Sequence, residues 1–375
     1  MPALRVAVDA TSLYGARTGI GRFTSSILEA LAGQPSLDLR AFAVTWRGNE
    51  DLTSLVPAGV HPVPRRMAAA PLRALWRRTD HPRIERWTGP VDVVHGPNFV
   101  VPPSRAATVA SVHDLTFLHH PEFCTADVLH YPGLLRRALA RGAWIHTDSD
   151  FVRNEVIELL GADPERVVTV PLGVSAPPAG RAATGRSLAG SDRYLVALGT
   201  IEPRKNLPTL VRAFDLLAAE DADLRLVVAG PDGWGVEAYE AAVAACAHAD
   251  RVVRVGFVSE EARGSLLAGA AAVAVPSHYE GFGLSAAEAM AAGVPVVASD
   301  RGSHPEVVGD AGLLVPADDE HALADALRRV LTDAALDADL RARGPARAAR
   351  FTWPRTAEGI AALWRRAAGE HTGAH

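Results

Sequence analysis

Short apolar runs recur along this 375-residue chain at strand length, separated by amphipathic stretches of helical period. Runs at 4–8, 91–95, 107–112, 167–170, 194–198, 224–229, 271–275 and 294–298 are mostly continuous rather than alternating. Continuity is the pattern of strands covered on both faces. Between them, 21–31, 152–160, 207–219, 236–247 and 320–331 read as helices. Strand and helix in alternation predict an α/β protein built on parallel sheets. In open sheets of this kind ligands bind beyond the carboxyl ends of the strands.

The stretch 176–192 lacks large apolar residues apart from Leu188 and reads as a linker. It divides the chain into a unit at 1–175 and a second at 193–350, in line with the usual domain size. A cleft between two such units is the expected site. A helix at 351–368, with Ile360, Leu363 and Trp364 on one face, could pack back on the amino-terminal domain. The tail 369–375 reads as disordered. A net charge of −5 argues against a nucleic-acid binder. Cys124 and Cys246 lie far apart without metal-ligand spacing, so neither a disulfide framework nor a metal site is expected. The opening residues resemble no leader peptide, and no run approaches a membrane span, so a cytoplasmic protein is expected.

Lys205 is the one lysine among 38 basic residues, the other 37 being arginine. Chance would retain a lysine at this position roughly once in forty, counting all cationic sites as equivalent. An ammonium is a compact point charge that can sit among several phosphate oxygens, whereas guanidinium is a wide planar fork. A chemical need at Glu202-Pro203-Arg204-Lys205-Asn206 is therefore the favoured reading.

The richest constellation follows the apolar run at 271–275. A turn through Glu280, Gly281, Phe282 and Gly283 leads into a helix beginning near Ser285. Exposed N–H groups at such a helix start suit an anion, and the glycines let the backbone approach it. Glu280 and Glu288 bracket the turn. Ser285-Ala286-Ala287-Glu288 also matches a capping box, in which Glu288 would only fix the helix start. His113 follows the run at 107–112, at the carboxyl end of a predicted strand.

Glu280 with Glu288, the stretch 202–206, and Pro305-Glu306-Val307-Val308-Gly309-Asp310-Ala311-Gly312 together resemble the retaining glycosyltransferases of family 4. In the amino-terminal half Asp9-Ala10, Thr18-Gly19-Ile20-Gly21-Arg22 and His113-Asp114-Leu115 resemble the branch of bacterial polysaccharide mannosyltransferases. The resemblance implies a GT-B fold: two Rossmann-like domains with parallel sheets facing across a cleft. The first would be the acceptor side and the second would hold the nucleotide sugar.

Carried over, Arg204 and Lys205 grip the donor diphosphate, and backbone amides at Gly283, Leu284 and Ser285, in the turn with Gly281 and Phe282, contact phosphate or sugar. Glu280 holds sugar hydroxyls and Glu288 those of the ribose. His113 lies near the donor sugar, with Gly19 and Gly21 shaping the amino-terminal wall. Thr200 departs from relatives that carry a second phosphate-binding arginine there. The family implies retention at the anomeric carbon with no metal and no cofactor, and its mannosyltransferase branch points to GDP-mannose. A nucleotide-sugar epimerase or phosphorylase of the same architecture and a silent sugar-binding relative are the alternatives. A dinucleotide-dependent oxidoreductase fits less well. Thr24 stands where the fingerprint wants glycine, and no acidic residue closes a second strand expected at 41–46.

The acceptor is a glycan, a lipid-linked sugar or a small molecule. The segment 65–87 carries seven arginines against Asp80 and Glu85, with Trp76 and Trp87 among them, and could touch an anionic membrane.

Overall fold

A computed structural model describes residues 2–14, 19–46, 51–63, 67–126 and 128–373. The strands of the first unit are β1 (Leu4–Asp9), β2 (Leu37–Phe42), β3 (Val60–Pro62), β4 (Val93–Gly96), β5 (Ala107–Val112), β6 (Trp144–Thr147) and β7 (Val167–Thr169). They form one parallel sheet in the order β3-β2-β1-β4-β5-β6-β7. Every residue of β4, β5 and β6 is buried, which is why these strands are uninterrupted rather than alternating.

The second unit carries β8 (Tyr194–Leu198), β9 (Arg225–Ala229), β10 (Val252–Gly256), β11 (Ala272–Val275), β12 (Val296–Ser299) and β13 (Leu313–Val315). Their order is β10-β9-β8-β11-β12-β13, again all parallel. Leu195, Leu226, Phe214 and Leu323 belong to its core. Both units are thus doubly wound, Rossmann-like α/β layers.

Three boundaries depart from expectation. The second strand lies at Leu37–Phe42, not at 41–46: Leu39, Ala41 and Phe42 are buried against β1 and its covering helices, and pairing with β1 fixes the register. The units divide between Gly173 and Val174, and the chain returns to the first unit at Thr352. The segment 176–192 belongs to the second unit and contains a helix, Ala182–Ala189, ended by left-handed Gly190. Glycine makes that helix possible in the space available. A Cβ on Gly185 would lie 2.1 Å from the Ser265 carbonyl oxygen, and one on Gly264 2.1 Å from that of Pro178. Close backbone packing against the helix Glu260–Gly269 needs small residues, so this contact has the composition of a linker.

The last helix, Trp353–Gly373, packs on the first unit through buried Ile360, Leu363 and Trp364. It continues through most of the tail expected to be disordered. His371 Nε2 donates to the Arg105 carbonyl at 2.7 Å and anchors its end, while Ala374 and His375 lie outside the described residues. Among the described residues no helix is long and apolar enough to cross a membrane.

Candidate active site

In the second sheet the chain runs outward from β8 to β9 and β10, then returns to the other flank of β8 as β11. The reversal opens a crevice at the carboxyl ends of β8 and β11. After β8, Pro203–Lys205 forms a single 3-10 turn, ended by Asn206 at φ 52°. Asn206 is the pin of this turn: its buried Nδ2 donates to the carbonyls of Pro276 at 3.1 Å and Ala317 at 2.7 Å. Its Oδ1 accepts from Thr209 Oγ1 at 2.8 Å, so the side-chain amide is satisfied at both ends. After β11, the His278 N–H donates to the Arg204 carbonyl at 2.9 Å and joins the two loops.

The pinned loops bring Glu280, Arg204 and Lys205 together. Glu280 Oε1 accepts from Lys205 Nζ at 2.6 Å and Ser277 Oγ at 2.8 Å, and Oε2 accepts from Arg204 Nη1 at 2.7 Å. Arg204 is oriented further by the Tyr279 carbonyl at 2.9 Å and by Glu202, which takes Nη2 at 2.6 Å. Burial alone would push the Glu280 carboxyl upward. The cations Arg204 and Lys205 reverse this and hold it well below the usual carboxylate range.

Behind this cluster lies His304, wholly buried and not singled out by the sequence analysis. Ser299 Oγ donates to the Ser277 carbonyl at 2.6 Å, so His304 Nδ1 donates toward Ser299 and its Nε2 is left without a partner. Burial keeps this imidazole neutral at ordinary pH. Its ring occupies the space a side chain at Gly283 would need: a Cβ there would lie 2.9 Å from His304 Cδ2, and Gly283 has φ 86°.

Gly283 is also the residue from which the helix Leu284–Ala291 starts, without any side-chain cap. Ser285 lies inside that helix and its Oγ has no hydrogen-bond partner, which overturns the capping-box reading. Glu288 instead accepts from Arg263 Nη1 at 2.7 Å. Phe282 turns its ring inward, edge-on to Phe351 at 5.3 Å, so Gly281 and Phe282 offer a ligand mainly backbone.

His113, Gly19 and Gly21 belong to the first unit. His113 Nδ1 lies 2.7 Å from Asp148 Oδ2 and Nε2 lies 2.7 Å from the Pro97 carbonyl. Both partners are acceptors, so the ring is satisfied as an imidazolium. Burial alone would lower its pKa; Asp148 more than offsets this and raises it. The ring also packs edge-on to Phe23 and Phe99. Beside it, Ser111 Oγ links His95 Nε2 at 2.8 Å to His146 Nδ1 at 2.9 Å, a buried polar ladder the sequence did not reveal. Gly19 and Gly21 stand in the first turn of the helix Gly19–Leu31, while Thr18 lies outside the described residues.

In the basic segment, Arg65 and Arg66 also lie outside the described residues. Trp76 is buried and donates to the Pro82 carbonyl at 3.0 Å, and Trp87 packs against the first core. Trp76 is thus withdrawn from the surface, whereas Trp87 is only partly buried.

Residues 17–176 match the family described as Glycosyltransferase Family 4, and residues 185–347 that described as Glycosyl transferases group 1. The O-antigen chain mannosyltransferase B of Escherichia coli is 34% identical over 285 residues, covering 73% of this chain and 74% of that protein. Among solved structures, a sucrose-phosphate synthase from Thermosynechococcus elongatus superposes with a TM-score of 0.76 at 20% identity, covering 97% of this chain and 98% of that one. HepE from Anabaena, solved in complex with UDP and glucose, gives 0.71 at 19% identity, covering 96% and 98%. At these identities the structural likeness bears on the fold alone.

Proposed function

Because the chain belongs to the glycosyltransferases of family 4, we propose that it moves a hexose from a nucleotide sugar to an acceptor hydroxyl, with retention and without a metal ion. The observation that carries the reading is the meeting of Arg204, Lys205 and Glu280 at the crevice of the second sheet. Two cations fixed there suit a diphosphate leaving group, and an ionised carboxylate between them suits hydroxyls.

In this reaction the bond from the anomeric carbon to the diphosphate oxygen breaks as positive charge develops on the sugar. The acceptor oxygen bonds to that carbon on the same face, and its proton passes to the departing diphosphate. Arg204 and Lys205 neutralise the charge that grows on the leaving group, work a metal ion does in other transferases. Thr200 adds no charge, so these two residues bear it together. The first-turn amides at Gly283, Leu284 and Ser285 face the phosphate or sugar, and Glu288 takes the ribose hydroxyls. His113 has both N–H groups committed to Asp148 and Pro97, which suits a fixed charge beside the donor sugar better than proton transfer. Gly19 and Gly21 shape the amino-terminal wall.

Mannose from GDP-mannose is the donor we favour, by likeness to the Escherichia coli O-antigen mannosyltransferase. The acceptor is a glycan, a lipid-linked sugar or a natural product. Arg73, Arg77, Arg78, Arg83 and Arg86 give the segment beyond Arg66 a charge that anionic lipid would attract. Incubation with GDP-mannose, UDP-glucose and UDP-galactose in excess chelator, with proton NMR of the product, tests the proposal. Transfer with the donor's anomeric configuration is expected. An inverted product, or activity lost to chelator and restored by manganese, rejects it.

A further inference from the structure

Glu288 is held by a residue to which the proposed reaction gives no part. The helix Glu260–Gly269 follows β10, and Ser259 caps it by accepting from the Ala262 N–H at 3.2 Å. One turn in, Arg263 spreads its guanidinium between two carboxylates. Nη2 donates to Glu260 at 2.6 Å and Nη1 to Glu288 Oε2 at 2.7 Å. The side chains of Arg263 and Glu288 are 15% and 7% exposed, while Glu260 is 49% exposed and anchors the fork from the solvent side.

Arg263 sets a cation directly against the enclosed Glu288 carboxylate and offsets the cost of burying it. Its orientation follows from the donor geometry, because a guanidinium pinned at one nitrogen cannot turn without breaking the other bond. Arg263 Nε is buried, so the guanidinium meets the carboxylates through its two terminal nitrogens.

We propose that Arg263 is the positioning residue for Glu288 and thereby sets the preference for ribonucleotide over deoxyribonucleotide donors. The inference rests on the assignment of Glu288 to the ribose. Glu288 accepts from the ribose hydroxyls, and Arg263 keeps it aimed. The pair discriminates because a donor without those hydroxyls displaces water from the carboxylate and returns no hydrogen bond in exchange.

The test is calorimetric titration of the full chain with GDP, UDP and their 2′,3′-dideoxy counterparts. The wild type is expected to bind the better ribonucleotide about tenfold or more tightly than its dideoxy form, the worth of a charge-assisted hydrogen bond. In R263L the ratio should fall below about threefold, through weaker ribonucleotide binding with dideoxy binding nearly level. E288Q should give the same ratio, and adding R263L to it should change the ratio no further. R263K, which keeps a charge but loses the fork to Glu260, should fall between and serves if R263L is too unstable to titrate. A full wild-type ratio in R263L, or in R263K where R263L cannot be read, overturns the proposal. A wild-type ratio near one rejects instead the assignment of Glu288 to ribose, and failure of both nucleotides to bind rejects the donor class.

Discussion

Replacing Glu280 with glutamine should tighten binding of a free nucleoside diphosphate while it lowers stability and turnover. Glutamine is nearly isosteric but neutral. It would leave the ammonium of Lys205 without its anionic partner at 2.6 Å and remove the anion from Arg204 Nη1, which keeps the Tyr279 carbonyl while Glu202 still holds Nη2. Breaking one side of a buried ion pair costs about 3–5 kcal/mol. Lys205 and Arg204 retain 16% and 19% of their side-chain exposure, so the lower end of that range applies. In a unit of this size about 3 kcal/mol lowers the melting temperature by roughly 6–12 °C. Affinity moves the other way, because in the free protein Glu280 occupies the cations that a diphosphate needs. Removing that competitor is worth about 1.5–3 kcal/mol per charged hydrogen bond, or roughly tenfold to a hundredfold in Kd. Turnover should fall about 10²–10³-fold, the cost of removing one preorganised polar group from a transition state. Calorimetry with GDP and UDP, thermal melts and steady-state kinetics on one preparation read all three. If E280Q binds the nucleoside diphosphate more weakly than the wild type, Glu280 does not compete with phosphate, and the reasoning fails.

Lysine-directed acetylation can reach only Lys205 and the amino terminus; it should abolish donor binding, and saturating nucleoside diphosphate should protect Lys205 from it, as mass spectrometry can read. K205R should lose at least about tenfold in kcat/KM, because a wide planar fork cannot reproduce the compact ammonium that sits 2.6 Å from Glu280. The raised His113 pKa gives a pH signature. Its stabilising contribution is complete below the ordinary histidine value near 6.5 and is lost as pH rises through the raised value, so the melting temperature of wild type relative to H113Q should decline across the alkaline side. A relative melting temperature that rises there would contradict the imidazolium assignment. G283A should cost more than about 1 kcal/mol in denaturant melts from its left-handed φ and the contact with His304, and H304A should restore the steric part only.

The sequence disclosed what local chemistry encodes. β5 and β8 match the apolar runs at 107–112 and 194–198, where both faces are buried and periodicity has nothing to obscure. β6 escaped notice because half of Trp144–Thr147 is polar, and His146 is buried only because Ser111 and the Val170 carbonyl satisfy it. β10 and β13 are edge strands, partly exposed and weak in pattern. The glycine turn, Glu280 and the cations at 204–205 were legible as motifs. Their direct pairing was not, since it depends on Asn206 reaching across to Pro276 and Ala317. Glu288 was ambiguous because the capping-box spacing coincides with its motif, and Arg263 gave no signal: its meaning arises only from the approach of the two helices that flank β11 in the chain.

The return of Trp353–Gly373 to the first unit has a consequence for biosynthesis. The second unit is one continuous stretch and can close as soon as it has left the ribosome. The first emerges earlier yet must wait, because the helix that covers Gly19–Leu31 and buries Trp364 beside His95 is translated after the whole second unit. Until then an apolar face of the older half stays bare, and the half translated first is the last to be finished.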